Sequence, residues 1–594
     1  MKAVMMAALV AVPCCAWAQA AKQLEPVVVT ATGQPTAIGD TLAPMLILTR
    51  EQIEQSQALD LAELLRFYAG IELGRSGGVG AQTSIFIRGA ESNHTLVLID
   101  GVRVNPATSG GAAVQNIAPD MIERIEIVKG PRAALYGSDA IGGVINVITR
   151  GGESSRGELG LRLGSDQTYD GSLRGSWGGE RGRLSLQAQH LRTDGFPALA
   201  GQTQDTGYDR TSFNADGELA LGRAKVGARF WQAGGTTDYY GFDPVDFSQV
   251  VLAQDYRNQI VALDASMPFG DAWSGMLEVS RGEDDSEQEQ SADFVETVRT
   301  GVDGKLVWSG RQQRITAGVG AVREAVEALS FGTATDESRD VLRFGIQDEI
   351  SAGRHHAVLG ATWADYEGFG SRVDGTLEYG FDVTAGGRLV ASASTGFRAP
   401  DATDRFGFGG NPDLRPEDAR NFELGWQQRI GDGQRVDVRL FRSEVDDLIN
   451  VLCDADFNCT AVNVDEYRNE GAELTWHLAI ENWTATLTGL LQNPKDLSTD
   501  TQLLRRAKQT AALRLNRQFG RWNAGLDILG SSSRPDFDRE LGGYALLNFT
   551  AGLRLGTQTR IQLRVENALD KDYQTSSGYN QAGASLYVGI AQGF

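Results

Sequence analysis

"GELGLRLGSDQTYDGSLRGSWGGERGRLSLQAQH" (157–190) alternates apolar and polar residues with a period of two. In its first run Leu159, Leu161 and Leu163 share one face, against Glu158 and Arg162. In the second, Tyr169, Leu173 and Trp177 oppose Ser172, Arg174 and Ser176. In the third, Leu184, Leu186 and Ala188 oppose Ser185, Gln187 and Gln189. "GGERG" (178–182) joins the last two runs as a short turn. Strands of this kind suit a membrane barrel with apolar residues towards lipid and polar ones towards the lumen. A soluble sandwich or propeller is the competing reading.

The end of the chain favours the barrel. "SLYVGIAQGF" (585–594) keeps Leu586, Val588 and Ile590 on one parity and finishes on Phe594. A terminal aromatic on an alternating strand is typical of outer-membrane barrels. Residues 153–594, at about 20 per strand and connection, suggest about 22 antiparallel strands, a barrel wide enough to hold a domain inside.

Residues 33–150 read differently, as a small α/β domain. Thr49 and Gln52 have the spacing of a capping box. Leu61, Leu64, Leu65 and Tyr68 recur at helical spacing, and Gly70 stands where a helix would stop. Short strands follow in "SIFIRG" (84–89), "TLVLIDG" (95–101), "RIEIVKG" (124–130) and "GVINVIT" (143–149).

The first residues, "MKAVMMAALVAVPCCAWAQAA", read as a secretory signal: Lys2, an apolar run, then Ala16-Trp17-Ala18 for cleavage after Ala18, or after Ala20. Removing residues 1–18 leaves two cysteines, Cys453 and Cys459, in a compartment where a disulfide is permitted. Counting strands back from Phe594, whose end is periplasmic, puts their loop outside. No further segment reaches the apolar length of a membrane helix. Of the 594 residues, 72 are glycine and 15 proline, which fits many strands and tight turns rather than disorder. The net charge of −22 argues against a nucleic-acid partner.

Between the signal and the α/β domain, in 19–32, stands "EPVVVTAT" (25–32), an extended, β-branched stretch with no hairpin partner beside it in sequence. A lone strand-former of this kind can be donated to the sheet edge of another protein; a frayed terminal strand is the plain alternative. "GSDAIGGVINV" lacks the Lys-Ser/Thr ending of a phosphate loop, so its glycines read as turns. His94 has no partner at metal spacing and reads as a satisfied polar histidine. No nucleophile-elbow or zinc motif is present, so no enzyme is expected. Aspartates gather in the polar stretches between 194 and 255, as a solvated acidic face or as oxygen-rich loops that suit calcium.

Several long runs resemble the TonB-dependent outer-membrane receptors, and within them the cobalamin (vitamin B12) receptors. They are "APMLILTREQIE" (43–54), "SIFIRGAESNHTLVLIDGVRVN" (84–105), "IERIEIVKGPRAALYGSDAIGGVINVIT" (122–149), "STGFRAPDATDRFGFGGNPDLRPEDARNFELG" (394–425), "LLRRAKQ" (503–509) and "VENALDKDY" (565–573). The resemblance covers nearly the whole mature chain. It implies a plug domain (33–150) inside a transmembrane barrel (153–594), in a monomer that actively imports a corrinoid across the bacterial outer membrane. Glu25, Pro26, Val27, Val28, Val29, Thr30 and Ala31 then look like the TonB box, which pairs with TonB in the periplasm. Phe594 becomes the residue read by the barrel assembly machinery. The resemblance places cobalamin contacts at Gln82, Ser84, Glu91, Ser109 and Gly110, and calcium ligands at Asp194, Asp205, Asp238 and Asp255. Here Gln82 stands for an apolar residue, Glu91 for an amide, and Asp205-Thr206-Gly207 for an Asp-x-Asp element. A ferric siderophore as the ligand, or a passive porin, are the alternatives.

Overall fold

The computed structural model describes residues 27–31, 33–152, 154–243, 248–330, 332–454, 459–464 and 466–594. The expected signal segment, Glu25 and Pro26 lie outside these residues. One expectation is corrected at the start of the described chain. The 25–31 stretch does have a partner in its own chain: β1 (Val27–Val28) pairs antiparallel with β2 (Thr36–Ala37). Gly33, with φ at 70°, permits the reversal, and its amide donates to Val29 O at 2.7 Å. The sequence concealed this because the ribbon is only two residues long on each side.

The α/β domain follows. Its strands β3 (Met45–Thr49), β6 (Thr95–Ile99), β7 (Val102–Arg103), β8 (Ile122–Lys129) and β9 (Gly143–Thr149) form one sheet in the order β3-β8-β9-β6-β7. Hairpin β4 (Ile71–Arg75) and β5 (Thr83–Ile87) stands apart. Thr49 makes the expected capping box with Gln52 at the start of α1 (Arg50–Ser56). The expected helix before Gly70 ends earlier: α2 (Leu61–Arg66) starts on an Asp60 N-cap and stops at Arg66. Phe67, Tyr68 and Ala69 leave the helix to bury themselves, Phe67 against Leu529 and Leu546 of the barrel. That tertiary packing overrides the helical spacing of Tyr68. A single turn, α3 (Ala133–Tyr136), separates β8 from β9.

Among the described residues, 22 antiparallel strands close into a barrel around this domain. The strands run β10 (Arg156–Gly164), β11 (Thr168–Gly179), β12 (Gly182–Phe196), β13 (Thr206–Leu221), β14 (Ala224–Phe242), β15 (Gln249–Phe269), β16 (Trp273–Gln288), β17 (Phe294–Ser309) and onward, each pairing with the next. The final strand, Ser585–Gly593, pairs back on β10, with Leu161 opposite Ile590.

The period-two pattern dictates which way the side chains point. Leu159, Leu161, Leu163, Leu173 and Trp177 are all about half exposed on the outer surface. Their polar neighbours turn inward, where Ser185, Gln187 and Gln189 are buried. Phe269 and Trp273, and Phe519 and Trp522, flank tight turns at the end where Phe594 lies, forming an aromatic girdle at the membrane boundary. The longest strand, β15, has 21 residues, whereas Thr559–Glu566 has 8, so one side of the barrel rises well above the other.

The plug fills the lumen and meets the barrel through charge as much as through apolar contact. Arg88 pairs with Glu423 at 2.8 Å and Glu473 at 2.9 Å; Arg132 pairs with Glu378, and Lys129 with Glu473. Such buried pairs add little net stability, but each is costly to strand.

Candidate functional site

The site lies at the end of the barrel away from Phe594, where the long hairpins rise. Two plug turns meet there. Ser92 Oγ accepts the Ile85 amide at 3.2 Å, next to Ser84 on β5. A Cβ on Gly110 (φ 67°) would lie 2.9 Å from Asn93 Cβ, so the 109–110 turn sits directly against the 91–94 turn. Ser84, Glu91, Ser109 and Gly110 are therefore brought to one face. Ser109 and Gln82 are exposed, Ser84 and Glu91 half-buried, and Gly110 buried.

Barrel residues complete this face; Arg506 and residues 402–406 fall in the runs 503–509 and 394–425, but their sequence gave them no role in a site. Arg506 pairs with Glu91 at 2.6 Å and stacks 4.0 Å over the Phe86 ring. Burial alone would raise the Glu91 carboxyl; the Arg506 charge and hydrogen bond outweigh it and hold the group below the usual range. Across the mouth, α4 (Ala402–Phe406) docks on the plug: the Ala402 and Thr403 amides donate to Ala107 O and Thr108 O at 3.0 Å. Arg405 stacks on Phe369 (4.9 Å) and Phe406 (4.5 Å), and Arg339 approaches Phe369 at 5.9 Å. The face thus offers small polar groups on the plug and a cation–π stack on the rim.

His94 is fully buried; its Nδ1 accepts the Glu91 amide and its Nε2 meets Glu417. It is the satisfied histidine expected. Glu417 also accepts the Ile449 amide at 3.0 Å. Ile449 starts a hairpin (Ile449–Cys453 with Cys459–Asn463) closed by a Cys453–Cys459 disulfide.

The four candidate calcium ligands are not brought together. Asp238 on β14 accepts the Gly207 amide at 3.0 Å, and Asp255 on β15 accepts the Thr236 hydroxyl at 2.6 Å. Asp205 lies before β13, and Asp194 lies within β12. One oxygen of each of these two carboxylates thus takes a hydrogen bond from the neighbouring strand. Among the described residues no three or more His, Cys, Asp or Glu side chains are grouped to hold a metal ion.

On the opposite side of the plug, Glu126 Oε2 accepts the amides of Val29 and Thr30, both at 2.8 Å. Asn146 Nδ2 donates to Thr30 Oγ1 at 3.1 Å, and the Tyr136 hydroxyl donates to Thr30 O at 2.9 Å. Val28 and Thr30 are buried. The one signal in sequence was a glutamate between isoleucines in "RIEIVKG".

A 22-strand barrel closed by an N-terminal plug is the architecture of an outer-membrane receptor that moves its ligand inward. The TonB dependent receptor-like, beta-barrel family matches residues 141–568 and the TonB-dependent Receptor Plug Domain matches residues 37–144; the chain belongs to the TonB-dependent receptors and resides in the outer membrane. It is 28% identical over 586 residues to the vitamin B12 transporter BtuB of Photobacterium profundum, covering 94% of each chain. The fold is similar to that of the siderophore receptor PirA from Acinetobacter baumannii (TM-score 0.78, 17% identity, 93% of this chain and 98% of that one). It is similar also to the ferric enterobactin receptor PfeA of Pseudomonas aeruginosa (TM-score 0.79, 17% identity, 93% and 100%). At those identities the solved structures speak for the fold alone.

Proposed function

We propose that this receptor imports a cobalamin-class corrinoid, powered by TonB through the 25–31 segment, and does no covalent chemistry on it. The observation that carries this reading is the relationship to a vitamin B12 transporter along 94% of both chains. The plug face is consistent with it. A corrinoid is ringed by amides, and Ser84, Ser109 and the backbone at Gly110 offer short hydrogen-bonding groups to it. Binding there shifts the population of conformers at the far end of the plug, and TonB then pairs with the exposed segment as an added strand.

A second reading, a ferric siderophore, is favoured by one feature. The Arg339–Phe369–Arg405–Phe406 stack suits an anionic aromatic chelate. Equilibrium binding of cyanocobalamin and of ferric catecholates to the purified protein separates the two. Cyanocobalamin binding with no catecholate binding supports the first, and the reverse result replaces it. A passive porin would keep its flux when residues 25–31 are deleted, whereas TonB-driven uptake would be lost.

A further inference from the structure

On the periplasmic side, between the plug and strands β10–β16 and Arg554–Arg560, lies a cavity of about 1550 Å³. This exceeds the roughly 300–1,000 Å³ of ordinary small-molecule sites. Its roof includes Asp100, at the turn between β6 and β7. From that turn the chain climbs through Val102 and Asn105 to Ser109 and Gly110 on the ligand face. Residues 100–110 are thus the part of the plug whose lower end lines the cavity and whose upper end reaches the ligand. The wall behind them is β14–β17: Arg229 donates to Asp100 O, Arg299 donates to Asn105 O at 2.7 Å, and Thr108 meets Thr297. Trp231, Ile260 and Ala262 of that wall are buried in one cluster with Val102.

The strip is tied along its length: Arg103 pairs with Asp139, the Asp100 amide donates to Val147 O at 2.8 Å and the Val104 amide to Val97 O at 3.0 Å. Asn105 ties its top, accepting the Val97 amide at 2.7 Å and donating to Thr95 O and Gly110 O. At its foot Asp100 takes the Thr149 amide and hydroxyl, and the Gly101 amide donates to Asn146 Oδ1 at 3.2 Å. Asp100 and Gly101, both at positive φ, form the two-residue loop of the β6–β7 hairpin, in which Ile99 pairs with Val102. Asn146 is the side chain whose other end holds Thr30. One amide therefore bridges the segment offered to TonB and the foot of the strip.

We infer that cargo leaves along the β14–β17 wall: residues 100–110 are the movable gate, the periplasmic cavity receives the cargo, and Asn146 relays withdrawal of Thr30 to the Asp100–Gly101 turn. The inference rests on the transport reading above and adds to it a route. Withdrawing Thr30 frees Asn146, loosens the turn, and joins the ligand face to the cavity without unfolding the sheet.

Two measurements test it. In purified full-length protein, without TonB, hydrogen exchange is followed at residues 99–105. Thr30→Val should speed exchange at Gly101 and Val104 by about fivefold or more, and Thr30→Ser should match the wild type. Equal rates in Thr30→Val and wild type overturn the relay. In cells, Ala262→Cys on the proposed wall and Ala512→Cys on the opposite wall, each buried against the plug, are exposed to a small water-soluble thiol reagent during uptake. Labelling of Ala262→Cys alone, dependent on ligand and TonB, is the expected result. Labelling of Ala512→Cys instead, or of neither in cells that import, overturns the route. Cells that never import cyanocobalamin overturn the transport reading instead, and the exchange experiment still decides the relay.

Discussion

Glu126 holds Thr30 at two points: its Oε2 accepts the Thr30 amide at 2.8 Å and the Thr30 hydroxyl at 2.7 Å. The carboxylate is fully buried, and its other oxygen takes Arg124 Nε at 2.8 Å. Hydrogen bonds to a charged acceptor contribute about 1.5–3 kcal/mol each. Glu126→Gln, which keeps the shape and removes the charge, should loosen residues 27–30 while leaving ligand affinity unchanged. A spin label at Val28→Cys reads this as faster motion in the variant without ligand; identical spectra would falsify the clamp.

Val28→Pro should abolish uptake and spare binding. Proline removes the backbone donor and fixes φ in the segment proposed to pair with TonB, and the proposed ligand face lies at the other end of the plug. Ligand affinity and cellular uptake are measured on the same variant. Uptake at the wild-type rate refutes the assignment of this segment.

Replacing Ser84 and Ser109 together by tyrosine should weaken corrinoid binding about tenfold or more, because two bulky rings would fill the face where the plug turns meet. Isothermal titration decides, and an unchanged Kd means that the ligand sits elsewhere.

The disulfide should be present without any added oxidant. Alkylation mass spectrometry of unreduced protein should find no free thiol at Cys453 or Cys459. Closing so short a ring contributes at most about 2–3 kcal/mol. A Cys453→Ser/Cys459→Ser double variant should therefore speed hydrogen exchange in 449–463 and leave the barrel transition in place.

Glu72 of the plug supplies a pH signature. It accepts the Ala507 amide at 2.7 Å and Gln492 Nε2 at 2.8 Å, and burial pushes its carboxyl up from 4.5 to about 7. A raised carboxyl favours the protonated form in the folded state. Its stabilisation is full below pH 4.5 and is lost as pH rises through about 7, a difference of about 3 kcal/mol. Thermal unfolding in detergent should show wild type gaining stability over Glu72→Gln as pH falls from 8 to 5. A constant gap between the two excludes this role.

The barrel was legible from the alternation at Leu159, Leu161 and Leu163, because a strand between lipid and water has only two environments to satisfy. The plug strands were legible for the same reason, as short apolar runs. The partners were not. Arg506 opposite Glu91, and Phe369 between Arg339 and Arg405, join residues hundreds of positions apart or from separate loops, and no local spacing encodes them. Glu126 was visible as a charge in an apolar strand, but its purpose appears only once Thr30 is docked against it. Asp238 and Asp255 were visible as candidate calcium ligands, but not the hydrogen bonds that strand register gives them, from the Gly207 amide and the Thr236 hydroxyl.

The seam between β10 and Ser585–Gly593 carries a consequence for biogenesis. Every other seam in the wall joins neighbours that emerge from the ribosome one after the other. This one joins the earliest strand to the latest, across more than four hundred intervening residues. Until Ser585–Gly593 pairs with β10, both rims of the sheet carry unpaired amides and carbonyls that lipid cannot satisfy. A nonsense mutation near the 3′ end of the coding sequence would therefore not yield a slightly shortened receptor. It would yield an unsealed sheet with two sticky margins, a substrate for periplasmic chaperones and proteases.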